Sequence, residues 1–345
     1  MVRQLPKSSR TRRRGPLAAT CALLVALVLT ACTGGQTSPM PTAAPPAPKT
    51  LVIGATAEPT SLDPTADAAA AGSQAMLYNV YETLVKVDGE GQLKPLLAQA
   101  WDVSEDRLTY RFVLNPASKF ADGTPVTAEA VAANITRIQT MPVAAKLKTA
   151  MAAVASARAV DAGTLEVTLS RPSVNWLFEM ASTAGIVINP AGFDAARTAT
   201  AGSGPLTVDS WTPGDSIVMK KNTSYWGTPA RFDEVTFRYF RDPNAMNASM
   251  LSGQLDIISN LQAPDALSQF ADPARFQVLE GTTNGEVVLG INNGGPTSEG
   301  VPAGNGNPAL RDPQVRKALT MAIDKQALVD TTWFGKGVVI GSMAV

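Results

Sequence analysis

Two periods of apolar and polar residues run through this chain. Leu51-Val52-Ile53-Gly54 is a short apolar run that reads as a strand, and Glu58-Pro59-Thr60-Ser61-Leu62-Asp63-Pro64, with two prolines, reads as a loop. From Ser73 to Val85 the residues Met76, Leu77, Val80, Tyr81 and Leu84 recur on one face of a 3.6-residue period, which predicts a helix. Asp88-Gly89 and Glu90-Gly91 then turn the chain. Leu108, Tyr110, Phe112 and Leu114 alternate with Thr109, Arg111 and Val113, the period of two that marks a strand with one buried face. After Asp122-Gly123, Thr127 stands as an N-cap with Glu129 in the first turn, and Val131, Ile135 and Ile138 form the buried stripe of a helix.

Downstream, Val154 to Val160 and Leu165 to Leu169 flank the turn Asp161-Ala162-Gly163 as a hairpin. Further strands are expected at Ile186 to Ile188, Ile217 to Lys220, Val235 to Tyr239, Phe276 to Leu279 and Val287 to Ile291. Beyond Asp312, Pro313 at the first helical position and Val315, Leu319, Ala322 and Ile323 on one face predict a helix that needs a sheet to cover it. Helices and strands alternate without an internal repeat, so the expected class is α/β, and 345 residues are enough for two domains.

Composition narrows the chemistry. With 29 basic residues, 29 acidic residues and no histidine, the chain has no serine-histidine or cysteine-histidine pair and no histidine-ligated metal site. Its carboxylates, such as Asp63, Glu82 and Asp122, show no spacing that singles out an acid/base pair, so an enzyme is not expected, and no cofactor or metal is implied. The first residues carry Arg3, Lys7, Arg10, Arg12, Arg13 and Arg14 ahead of an apolar run, Leu17 to Leu29, too short to span a bilayer. That pattern reads as a secretory signal. Loss of residues 1–31 removes six basic and no acidic residues, leaving a formal charge of −6, which disfavours nucleic acid as a partner. The proline-rich stretch 32–50 reads as a tether.

Several segments carry a family resemblance. Leu29-Thr30-Ala31-Cys32 resembles the lipobox of bacterial lipoproteins, which implies lipidation at Cys32 and an exported protein anchored to the outer face of the cell membrane or in the periplasm. An ordinary secretory cleavage site is the alternative. Val80-Tyr81-Glu82-Thr83-Leu84-Val85, Phe120-Ala121-Asp122-Gly123-Thr124-Pro125-Val126, Gly202-Ser203-Gly204-Pro205, Tyr225-Trp226-Gly227, Leu251-Ser252-Gly253-Gln254-Leu255-Asp256 and Val315-Arg316-Lys317-Ala318-Leu319 resemble, in order and spacing, the peptide/nickel family of extracellular solute-binding proteins of ABC importers. The resemblance covers 51–345 and implies a two-lobed, class II periplasmic-binding-protein-like α/β fold with an inserted subdomain. The lobes would comprise 51–82 with 204–285 for the first, 83–203 for the insertion, and 286–345 for the start of an incomplete second lobe. Family members usually run on further, so a fragment or a disrupted reading frame is expected.

The same resemblance implies the function and its contacts. A monomeric, lipid-anchored binding protein would capture an oligopeptide or similar small solute between its lobes and deliver it to ABC permease subunits in the membrane. Free nickel held by histidine is excluded, whereas a metal inside an organic chelator stays open. Ligand contacts are expected at Ser61 and Leu62 in the first loop, Tyr81 and Glu82 on the first helix, Ser203 and Gly204 before the chain re-enters the first lobe, and Asn292 and Asn293 at the crossing. Each residue also has a duller reading: Tyr81 and Trp226 as core, Glu82 as a solvated side chain, Gly204 and the asparagines as turns. The alternative function is a surface lipoprotein of binding-protein fold with a structural or interaction role and no transport.

Overall fold

The computed structural model describes residues 2–4, 48–66, 69–141, 143, 145–261, 264–281, 287–293 and 306–341. In chain order its strands are β1 (Val2–Gln4), β2 (Thr50–Ala55), β3 (Glu82–Thr83), β4 (Val85–Val87), β5 (Leu93–Pro95), β6 (Ala98–Val103), β7 (Thr109–Leu114), β8 (Val154–Asp161), β9 (Thr164–Leu169), β10 (Ile186–Val187), β11 (Leu206–Thr212), β12 (Ser216–Lys221), β13 (Glu234–Tyr239), β14 (Ile257–Ile258) and β15 (Phe276–Val278). The helices are α1 (Ala70–Met76), α2 (Ala128–Thr140), α3 (Ala145–Met151), α4 (Trp176–Glu179), α5 (Pro243–Leu251), α6 (Pro313–Ala322) and α7 (Lys325–Thr332).

The period-two pattern at 109–114 folds as side-chain alternation requires: Tyr110, Phe112 and Leu114 are buried while Arg111 and Val113 face out. β7 sits inside an antiparallel sheet of order β6-β7-β9-β8, and α2 and α4 cover its apolar face. Phe112, Leu165, Val167, Ile135, Ile138 and Trp176 meet in that core. The outer face carries one cross-strand row, Asp102 opposite Arg111, Arg111 opposite Glu166, and Glu166 opposite Arg158, with opposite signs alternating across all four strands. Arg158 closes on Glu166 at 2.5 Å. α2 begins as the sequence predicts, with the Thr127 side chain accepting from the Ala130 N–H.

A second, mixed sheet has the order β11-β12-β13-β2-β14-β1-β15. β2 runs parallel to β13 on one side and β14 on the other, and β1 runs antiparallel to both β14 and β15. Leu206, Ile217, Met219, Val235 and Phe237 pack with Leu62, Met76, Val80 and Tyr81 on one part of this sheet. Met246, Met250, Leu255, Ile258, Phe270 and Phe276 form a separate cluster beneath α5. β1 falls within the segment expected to be a signal, and the structure gives it an internal place in the sheet. The apolar run of that segment, Cys32 and the tether as far as residue 47 lie outside the described residues.

Two predicted elements differ. The helix expected over 73–85 ends at Met76, Leu77 is extended, and Tyr78 takes a positive φ of 62°. Tertiary hydrogen bonds win there: the carbonyls of Asn79 and Val80 accept from the N–H groups of Leu206 and Gly204, and Glu82 and Thr83 pair with Val187 and Ile186. Tyr81 and Glu82 therefore stand on an extended crossing rather than on a helix. Residues 287–291 form no strand, and Val287, Val288 and Leu289 are exposed. α6 forms with Asp312 as its cap, but neither it nor α7 buries a residue, so the apolar face is made and left uncovered in the described chain.

Candidate functional site

The chain leaves the seven-stranded sheet at residues 77–84 and returns to it at 201–206, and the two crossings lie side by side. Gly204 N–H donates to the Val80 carbonyl and Leu206 N–H to the Asn79 carbonyl, both at 2.9 Å. Only glycine fits this approach. A Cβ on Gly202 would stand 1.9 Å from the Val80 oxygen, and one on Gly204 2.5 Å from the Asn79 oxygen.

Glu82 lies at the centre of this joint, 2% exposed. Its Oε2 accepts from Ser203 Oγ and from Trp226 Nε1, each at 2.9 Å, and its Oε1 accepts from the Tyr225 hydroxyl at 2.6 Å. Burial raises the Glu82 carboxyl above its ordinary value, while the bonds from Tyr225, Ser203 and Trp226 and the charge of Lys86 pull the other way. Burial, reinforced by Glu82, raises the Tyr225 phenol and keeps it a neutral donor. Asn222 holds the same joint from behind: its Nδ2 donates to the Gly204 carbonyl at 3.0 Å, and its N–H donates to the Pro205 carbonyl.

The first loop is clamped at both ends by carboxylates. Glu58 accepts the Trp211 indole N–H at 2.9 Å and the Gly214 N–H at the tip of the β11–β12 hairpin. Asp63 pairs with Arg137 of α2 at 2.5 Å and accepts from the N–H and hydroxyl of Thr65, whose hydroxyl in turn accepts from Arg137 at 2.8 Å. The Arg137 guanidinium also sits 5.1 Å from the Phe193 ring centroid. Between the clamps, Ser61 and Leu62 are buried, with the Ser61 hydroxyl on the Asp63 carbonyl and the Leu62 carbonyl accepting from Tyr81 OH at 3.3 Å. Tyr81 is wholly buried, and burial raises its phenol well above the usual range.

The structure thus joins Leu62 to Tyr81 and Glu82 to Ser203, with Gly204 in the same crossing, and it buries all of these side chains. Asn292 and Asn293 are exposed in the extended stretch 287–293, where Arg311 Nε donates to the Asn293 carbonyl at 3.3 Å. Sequence reasoning missed Arg137 and Asn134, both buried on α2, where Asn134 bonds the backbone of Ile188 in both directions. For Asn134 the spacing was the available signal, because Val131, Asn134 and Ile138 share one helical face at steps of three and four. It also missed that Tyr225 and Trp226 serve Glu82, a pairing that no local pattern encodes. Among the described residues no group of three or more acidic or cysteine side chains could hold a metal, and no helix is long and apolar enough to cross a membrane.

Residues 92–345 match the family model of bacterial extracellular solute-binding proteins, family 5. The chain is 30% identical over 298 residues to the glutathione-binding protein GsiB of Escherichia coli K12, covering 84% of this chain and 55% of that protein. It is also 30% identical over 303 residues to a probable D,D-dipeptide-binding periplasmic protein, DdpA, of the same organism, covering 83% and 55%. Among solved structures, it resembles the periplasmic binding protein DppA of Helicobacter pylori in complex with the peptide STSA, with a TM-score of 0.70, 21% identity, and coverage of 83% of this chain and 58% of that one. NikZ of Campylobacter jejuni in complex with Ni(L-His) gives a TM-score of 0.69 at 22% identity, covering 83% and 55%. The chain spans about half the length of the curated relatives it matches.

Proposed function

This chain belongs to the family 5 bacterial extracellular solute-binding proteins, and from that premise we propose that it is the solute-binding component of an ABC importer for peptides or related small solutes. The family is one of transport binding proteins rather than enzymes, and its fold is the two-lobed, class II α/β type. The observation that carries the reading is the family match over 92–345, which includes both the Gly202–Pro205 crossing and the Tyr225–Trp226 turn. Relatives named for glutathione and dipeptide binding support a short peptide as the solute. The solute is held in a cleft whose scaffold includes Ser61, Leu62, Tyr81, Glu82, Ser203 and Gly204, with Asn292 and Asn293 meeting it from the next crossing, and is passed to permease subunits.

The domain boundaries belong to the same proposal. The first lobe takes 51–82 and 204–285, the insertion 83–203, and a second lobe begins at 286. What supports them is that six of the seven strands of the larger sheet, β2 and β11 to β15, fall within 51–82 and 204–285 or begin one residue before them, β1 at 2–4 being the seventh, whereas the four-stranded sheet lies wholly within 98–169. Anchoring is through lipid at Cys32, on the strength of Leu29-Thr30-Ala31-Cys32. Radiolabelled palmitate should mark the protein and be lost in Cys32→Ser; label that survives the substitution would refute the anchor.

The test of function is calorimetric titration of the full chain with glutathione and a panel of di- to tetrapeptides. Saturable binding by at least one of them is expected. Absence of binding across the panel, by protein that unfolds cooperatively on heating, would reject the proposal.

A further inference from the structure

We propose that Glu82 is the positioning residue of the joint between the two sheets, fixing where the returning Ser203–Gly204 crossing and the Tyr225–Trp226 turn sit and so the shape of the cleft. The claim about the cleft rests on the solute-binding reading; the claim about the joint does not. Three donors from two remote segments converge on one buried carboxylate, at 2.6 Å from Tyr225 and 2.9 Å from Ser203 and Trp226. An indole N–H can only donate, so this arrangement needs an acceptor at position 82 and tolerates no second donor there. A carboxylate with three of its roughly four acceptor sites filled, and only 2% of the residue exposed, offers no side-chain surface to a solute. Its influence therefore runs through what it holds.

The position of Glu82 in the chain makes the hold consequential. It lies on the outgoing crossing, Ser203 lies on the incoming one, and Tyr225 and Trp226 follow Asn222, which also grips Gly204. Removing the acceptor would free both crossings at once. The ionisable groups that act on Glu82 are Tyr225, through its hydrogen bond, and Lys86, through its charge; Ser203 and Trp226 bring donors that do not titrate in the working range. Uptake of a proton would turn part of the acceptor into a donor and would be felt directly by the Trp226 indole.

Trp226 is thus a built-in reporter, isolated from the other four tryptophans by subtracting the signal of Trp226→Phe. In the full chain, its fluorescence should show a single transition at a pH above the ordinary range of a glutamate carboxyl, and Glu82→Gln should abolish it. Tyr225→Phe, which removes one bond to the charged form, should move that transition to higher pH. Glu82→Gln should weaken binding of the tightest peptide in the panel by about tenfold or more, the loss of a hydrogen bond to a charged group, and Glu82→Asp should restore part of it. A Trp226 signal that does not titrate, or titrates unchanged in Glu82→Gln or Tyr225→Phe, would overturn the role at the joint. Unaltered peptide affinity in Glu82→Gln would overturn the role in the cleft. If no peptide binds even the unmodified chain, the function proposal fails, and the fluorescence titration still decides the joint.

Discussion

Two buried carboxylates, Asp63 and Glu82, do different things because their surroundings differ. Asp63 faces a cation: Arg137 is 7% exposed and pairs with it at 2.5 Å. Removing one partner strands a buried charge, so Asp63→Asn or Arg137→Met alone should each destabilise the fold by about 3–5 kcal/mol, and the double variant by less than the sum of the two. Urea unfolding of the four proteins in the cycle measures this. Glu82 faces neutral donors, and burial leaves its carboxyl raised above the ordinary 4.5. A raised folded value means the folded chain binds the proton more tightly than the unfolded chain does. The stabilisation from protonation is complete below the unfolded value and is lost as the pH rises through the folded one. Melting temperature should accordingly fall across that window as pH rises, and the component should vanish in Glu82→Gln. A residue with no side chain matters as much: Gly202→Ala drives a methyl into the Val80 carbonyl and should lower stability by about 1–3 kcal/mol in thermal unfolding.

Among elements, the ones whose cause is local were legible in the sequence. β7 and the β8–β9 hairpin follow from alternation and turn residues, and α2 from a cap and a stripe. Thr127→Ala should cost about 1 kcal/mol through loss of the Ala130 bond, and Phe112→Ala about 3–5 kcal/mol through the cavity left between the sheet and α4; both can be read from denaturant midpoints at constant slope. The helix expected over 73–85 failed because its apolar spacing is also satisfied by an extended crossing whose partners, 186–187 and 204–206, lie more than a hundred residues away. The same limit applies to the candidate site. Glu82 and Ser203 were named on resemblance, but the donors that converge on Glu82, and the ion pair that fixes the first loop, come from distant segments. No window along the chain contains them.

At the scale of the whole molecule, burial is uneven. The sheet within 98–169 encloses a core of large side chains, whereas α6 and α7 bury none and leave Leu319, Met321 and Leu328 exposed. Limited proteolysis of the full chain should cut first within 307–341 and last within 98–169, as mass spectrometry of the early fragments would show; early cleavage inside β6 to β9 would contradict this order. The topology of the other sheet also sets a schedule. β2 is among the first strands to emerge as the chain is made, yet its neighbours are β13 and β14, which appear some two hundred residues later. The four-stranded sheet has all its partners within one short stretch and is complete long before that. A growing chain therefore carries a finished four-stranded sheet beside a waiting β2 that has neither β13 nor β14 to pair with, and during that interval this strand is the part most open to a chaperone or to aggregation.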